Sequence, residues 1–252
     1  MKISEFSIEV PAKWVLSGEH SVLRGKRAIA FPYFDFNLQL SYLAQPGDQE
    51  IASGDLQITP NPFQREIKSL VGRALEWLAL PTPTVISGKL DIQSNIPIGA
   101  GLGSSAAICV AISRFVLWKT KSDLQHWIPL ATHLEDVFHG KSSGMDVCVI
   151  AHAKPILYLR ELDTGIFKGE PLAEASHRPR FELYDSGKRG KTRECIEKVQ
   201  QWQKENPALA SQYDEQMGAA TLLAESALQE YERDPPNAEI KLARAMQSAQ
   251  NC

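Results

Sequence analysis

A chain of 252 residues with 43% hydrophobic and 23% charged residues has the make-up of an ordinary globular protein able to bury a sizeable core. A formal net charge of −3 argues against nucleic-acid binding, which normally needs a concentrated basic face. No apolar run is long enough to cross a bilayer, and the N-terminus opens on an alternating pattern, so neither a membrane partner nor a signal peptide is expected.

Phe6, Ile8 and Val10 alternate with Glu5, Ser7 and Glu9, which predicts a half-buried strand. Trp14-Val15-Leu16 and Ala28-Ile29-Ala30 read as further short strand segments. Phe34, Phe36, Leu38, Leu40 and Tyr42 alternate with polar residues in the clearest strand of the chain, and a short strand is expected near Leu56–Thr59. Asn61-Pro62 reads as a helix start, with Asn as cap and Pro in the first helical position. Ile67, Leu70, Val71, Ala74, Leu75 and Leu78 follow at helical spacing.

A strand over Lys89–Ser94 leads into Gly99-Ala100-Gly101-Leu102-Gly103-Ser104-Ser105 and an apolar helix to Trp118. A helix is expected from about Ile128 to His139, stopped by Gly140, and a strand at Ile156–Leu159. A second unit from residue 179 shows one strand, Phe181–Asp185, and helices over roughly 192–205, 212–231 and 237–250. Strands alternating with helices, the early ones antiparallel in character, predict an α+β fold. The four cysteines (Cys109, Cys148, Cys195 and Cys252) have no metal-ligand spacing and no disulfide density, so reduced thiols in a cytoplasmic protein are expected.

Three segments concentrate chemistry. The glycine turn at 99–103 feeds a helix N-terminus, which presents unpaired N–H groups and a positive dipole end suited to phosphate. It lacks the Gly-Lys-Ser/Thr ending of a P-loop, and it lacks both the last glycine spacing and the following acid of a dinucleotide-binding turn. A strand-to-helix loop that simply needs glycine is the bland alternative. Around residues 11–30, Lys13, Glu19 and His20 flank an apolar run ending at Gly18; by themselves they read as a solvated loop. At 135–146, Glu135 and His139 stand four apart, the spacing of an exposed helix pair. Asp146 follows a Ser-Ser-Gly loop and precedes the apolar run Val147–Ala151, where an acid at a loop-to-strand edge can cap a turn.

Together and in this order the three segments resemble the GHMP kinases, named for galactokinase, homoserine kinase, mevalonate kinase and phosphomevalonate kinase, and most of all the mevalonate kinase members. The resemblance rests on Lys13 with Gly18-Glu19-His20-Ser21-Val22, on Pro97-Ile98-Gly99-Ala100-Gly101-Leu102-Gly103-Ser104-Ser105-Ala106, on His139-Gly140 with Ser143-Gly144 and Asp146, and on Asp185-Ser186-Gly187 with Thr192-Arg193. It implies a two-domain α+β fold: a ribosomal-S5-domain-2-like N-terminal domain at 1–178 and a ferredoxin-like C-terminal domain, incomplete here, at 179–252. The implied activity is ATP-dependent phosphorylation of a hydroxyl of mevalonate. A nucleotide-binding relative without turnover, or a kinase of the same family for another hydroxylated acid or sugar, are the alternatives.

The resemblance assigns Asp146 and Lys13 to catalysis and Pro97, Gly99, Ala100, Gly101, Leu102, Gly103, Ser104, Ser105 and Ala106 to ATP. It assigns Ser105 and Glu135 to Mg²⁺, and Glu19, His20 and Thr192 to the acceptor. A small-molecule substrate is the implied partner, and a homodimer is compatible with it. The family usually has glycine where Ala12 stands and proline where Ser142 stands. The family's third glycine-rich motif has no counterpart after Gly190, where Gly218 lies inside a helical pattern.

Overall fold

The structure is a computed structural model. It describes residues 5–19, 21–44, 56–59, 62–80, 86–140, 142–160, 167–173, 176–187 and 192–252, with only the backbone at 139, 160, 167 and 192–197. Chain compactness divides it into two interleaved units. One comprises Met1–Ala12, Tyr33–Pro97 and Gly103–Ser142, and the other Lys13–Pro32, Ile98–Leu102 and Ser143–Cys252. Two strands, β1 (Glu5–Ser17) and β2 (Arg27–Leu43), contribute to both. The short strand segments expected near Trp14 and Ala28 are therefore parts of these long strands.

In the first unit the later part of β2 pairs antiparallel with β4 (Gly88–Ser94), placing Leu40 opposite Ile92 and Tyr42 opposite Leu90. The short β3 (Leu56–Ile58) runs parallel to β4. Alternation decides which face is covered: Leu38, Leu40 and Tyr42 are buried, whereas Gln39, Ser41 and Leu43 are exposed. Against this face lies α2 (Ser104–Lys119), whose buried residues run nearly all round it, as expected of a helix enclosed by other elements. Phe6 of β1 packs on Phe115 and Trp118 of α2, and Tyr42 packs 5.0 Å from Phe115 while its hydroxyl donates to the Ser87 carbonyl. Helices α1 (Gln64–Trp77) and α3 (Trp127–His139) flank α2. Helix α1 starts two residues later than Pro62, after Phe63, and no side chain caps it; Asn61 lies outside the described residues.

In the second unit the first part of β2 pairs antiparallel with β5 (Ile156–Arg160), and β5 pairs with β6 (Phe167–Pro171), a strand with no alternating signal. Helix α4 (Met145–His152) takes up the run Val147–Ala151 that reads as a strand edge. A short continuous apolar run suits a buried strand or a buried helix equally, and here left-handed residues at both ends, Gly144 and Ala153, delimit a helix. Gly169 of β6 makes room for it, since a Cβ there would stand 2.2 Å from the Cys148 sulfur and 3.1 Å from the Tyr158 ring.

The predicted helices near the C-terminus are α5 (Thr192–Glu205), α6 (Pro207–Glu230) and α7 (Pro235–Gln250), with Pro in the first turn of both α6 and α7. Helices α6 and α7 pack together and build a core in which Ala224, Ala227, Leu228, Leu242 and Ala245 meet Ile29 and Phe31. Arg24 is paired with Asp214, and Arg27 with Glu225 at 2.6 Å, tying α6 to the start of β2.

The strand expected at Phe181–Asp185 is irregular chain. Phe181 alone of that segment reaches the core, against the stacked Trp14 and Phe31 rings, while Leu183 and Tyr184 are exposed. Among the described residues no strand pairs with it, so its alternation builds no ladder. Among the described residues no helix is long and apolar enough to cross a membrane.

Leu228→Ala is expected to lower unfolding stability by about 3 kcal/mol, as for other buried leucines, measured by denaturant melts. Burial pushes the Cys148 thiol up from 9.0 to about 12, and that of Cys109 well above its usual value. A folded-state pKa raised this way contributes stability that is whole below about pH 9 and is lost as pH rises toward 12. At pH 8 both thiols should therefore label with a thiol reagent only on unfolding, as followed by mass spectrometry.

Candidate functional site

Within the second unit, three of the chemistry-bearing segments meet. Lys13 lies on β1 with its side chain 3% exposed, and its ammonium sits 2.8 Å from the Asp146 carboxylate, which is 25% exposed. A buried ammonium needs a counter-charge, so this pair is a fixed feature of the fold rather than a surface contact. The Lys13 backbone N–H also donates to the Leu102 carbonyl at 3.1 Å, fastening the glycine segment to β1. Asp146 occupies the first turn of α4, where a carboxylate is favoured by the helix dipole. Tyr158 of β5 donates its hydroxyl to the Ser143 carbonyl at 2.6 Å, and the Ser143 hydroxyl accepts from the Met145 N–H at 3.3 Å. These contacts set where α4 begins and hence where Asp146 stands.

The glycine segment is a turn of positive φ at alternate residues. Gly99, Gly101 and Gly103 take φ of 73, 77 and 76°, a region that side-chain-bearing residues rarely enter. A Cβ on Gly101 would meet nothing within 4 Å, so backbone conformation rather than crowding demands glycine there. Ile98 is 62% exposed, while Pro97, Gly99, Ala100 and Leu102 are half-buried.

In the first unit Gly103 is the N-cap of α2, and no side chain caps that end. Ser104 and Ser105 are half-buried in its first turn, and Ala106 is buried behind them. On the neighbouring α3, Glu135 is 2% exposed, which overturns its reading as one half of a surface pair. It accepts a hydrogen bond from the Ser142 hydroxyl, while Asp136 accepts from the Ser142 backbone N–H at 2.7 Å. After burial itself, the negative charges of Glu135 and Asp136 raise the Cys109 thiol further. The chain passes between the two units at Leu102–Gly103 and at Ser142–Ser143, inside the two motif segments themselves.

Glu19 is exposed and borders a cavity of about 410 Å³ within the second unit, lined also by Ser17, Ser21, Arg24, Trp202 and Asp214. His20 lies outside the described residues, as do the side chains of His139 and Thr192. Asp185 belongs to the irregular segment, where its carboxylate accepts from the Gly187 N–H at 2.8 Å. Sequence reasoning missed Tyr158 and Ser142. Tyr158 reads as an ordinary inward strand residue, and the only signal for Ser142 is its departure from the family's proline.

The comparisons with known proteins agree with these motifs. Residues 69–154 match the family description "GHMP kinases N terminal domain". A mevalonate kinase of Thermococcus sibiricus is 31% identical over 245 residues, covering 89% of this chain and 70% of the relative. A mevalonate kinase of Pyrococcus horikoshii is 31% identical over 229 residues, covering 82% of this chain and 65% of the relative. This chain thus spans about two thirds of the length of such relatives.

Among solved structures, Leishmania major mevalonate kinase in complex with R-mevalonate superposes with a TM-score of 0.73 at 20% identity, covering 99% of this chain and 75% of the other. Streptococcus pneumoniae phosphomevalonate kinase in complex with phosphomevalonate and AMPPNP gives 0.67 at 14% identity, covering 97% and 78%. At these identities the superpositions bear on the fold, which is α+β and that of the two-domain GHMP kinases. With the sequence relationship, the motifs and the fold in agreement, the chain belongs to the GHMP kinase family, where its relatives are mevalonate kinases.

Proposed function

We propose that this protein transfers the γ-phosphoryl group of ATP to a hydroxyl of mevalonate. The observation that carries the reading is the ion pair between buried Lys13 and Asp146, fastened through the Lys13 N–H to the glycine segment that would hold the nucleotide. In the reaction the acceptor oxygen bonds to the γ-phosphorus, the bond to the β-phosphate oxygen breaks, and ADP leaves. Asp146 takes the hydroxyl proton, and the Lys13 ammonium stabilises negative charge on the transferring group. Positioning and charge neutralisation are what this chemistry asks of a protein.

The backbone N–H groups of the 99–103 turn and the uncapped N-terminus of α2 would cradle the phosphates. Glu135 and Ser105 would hold Mg²⁺. Among the described residues no cluster of three or more His, Cys, Asp or Glu side chains offers a closed metal site. One buried carboxylate and one hydroxyl nonetheless fit Mg²⁺, which is commonly bound by few protein oxygens with phosphates and waters completing its shell. When bound, the ion would neutralise phosphate charge. Glu19, with His20 and Thr192, would face the acceptor; the cavity that Glu19 borders supports this part of the reading. The coarser assignment, a phosphotransferase with an alcohol acceptor, rests on the family relationship, and mevalonate as acceptor rests on the names of the relatives.

The test is ATP consumption by the purified protein with mevalonate and with a panel of other hydroxylated acids and sugars. Mevalonate-dependent ADP release is expected, and Asp146→Ala should lower kcat by about 10²–10⁴-fold, the usual worth of a proton-transfer group, with nucleotide binding retained. Turnover surviving that change would remove Asp146 from its role. Nucleotide binding without product from any acceptor would instead mark a binding protein.

A further inference from the structure

The loop leaving α3 makes two contacts that the phosphoryl-transfer reading does not use. Ser142 donates its hydroxyl to Glu135 Oε2 and its backbone N–H to Asp136 Oδ1. The two acceptors are consecutive residues of α3, and Gly140, whose N–H returns to the Asp136 carbonyl at 2.8 Å, turns the chain back toward them. One residue therefore grips both carboxylates. The proline that the family usually carries at this place could make neither bond, having no backbone N–H and no hydroxyl.

The consequence falls on Glu135. Its side chain is 2% exposed, so its oxygens depend on protein partners rather than bulk water. The last torsion of a glutamate is broad and nearly unrestrained by its own stereochemistry. A hydroxyl hydrogen bond to one named oxygen fixes the plane of the carboxylate, and charge-assisted bonds of this kind are the stronger ones. We infer that Ser142 is a positioning residue for Glu135, orienting its carboxylate for the divalent cation that accompanies the nucleotide. The inference rests on the proposed role of Glu135 as a cation contact. Ser142 acts through Glu135 and need not touch the cation or the phosphates.

The experiment is a titration of the full chain with Mn²⁺ in the presence of adenylyl imidodiphosphate. Free Mn²⁺ is read by electron paramagnetic resonance, and thermal melts are taken in parallel. Ser142→Ala is expected to weaken Mn²⁺ binding about tenfold, as outer partners of metal ligands generally do, with its melt unchanged. Ser142→Thr, which keeps a hydroxyl, should restore the affinity. Wild-type affinity in Ser142→Ala, alongside its loss in Glu135→Gln, overturns the inference and leaves the role of Glu135 standing. An equal loss in Ser142→Thr also overturns it, because the hydroxyl is then not what matters. Unchanged affinity in Glu135→Gln, or no Mn²⁺ uptake by the wild type, overturns the parent role of Glu135 and the inference with it.

Discussion

A lysine ammonium taken almost wholly out of water is the constraint around which the second unit is arranged. Lys13 is 3% exposed, and the desolvation of its charge is large unless an anion answers it. Asp146 supplies that anion, but only if α4 begins at the right residue and points its first turn at β1. The Ser143 contacts, the left-handed Gly144 and the hydroxyl of Tyr158 all serve that placement. The same strand residue holds the glycine segment through its backbone. One position on β1 thus fixes, through two different groups, an acid and a turn that are 44 residues apart in sequence (146 − 102).

The first unit also keeps a charged group out of water. Glu135 is as buried as Lys13, and the contacts that hold it and its neighbour include the hydroxyl and N–H of a loop serine. A buried carboxylate is costly unless its oxygens are answered by donors. The Ser142 hydroxyl answers one oxygen of Glu135, and its N–H answers Asp136, so the loop after α3 is folded back onto the helix by the same bonds that satisfy the acids.

Much of this architecture was legible in the chain, and the exceptions have physical reasons. Strict alternation through Phe6–Val10 and Leu38–Tyr42 announced half-buried strands, and the glycines at 99, 101 and 103 announced a turn of positive φ. The extent of β2 was harder to read because Pro32 interrupts it. Proline lacks an N–H, and it falls between the β5 ladder, which ends at Ala30, and the β4 ladder, which begins at Leu38. Val147–Ile150 is apolar at every step, so periodicity carried no information about helix or strand. Phe181–Asp185 showed the reverse failure, a plausible strand pattern with no partner strand among the described residues. At the site, residue types and order pointed to Lys13, Glu135 and Asp146, but the burial of Glu135 and the supporting roles of Ser142 and Tyr158 depend on how the chain folds back on itself, which residue order does not announce.

Gly169 shows how far such support extends. It carries no chemistry and sits on β6, yet the absence of a side chain there lets both Cys148 of α4 and the Tyr158 ring lie against the strand. Those two residues flank the structure that aims Asp146, one on its helix and the other at its entry loop. Strand β6 is therefore part of the mould against which α4 is seated. A side chain at this position, which has no reactive group, would have to displace Cys148 or the Tyr158 ring, so tolerance to change is narrower in this unit than a map of reactive residues alone suggests.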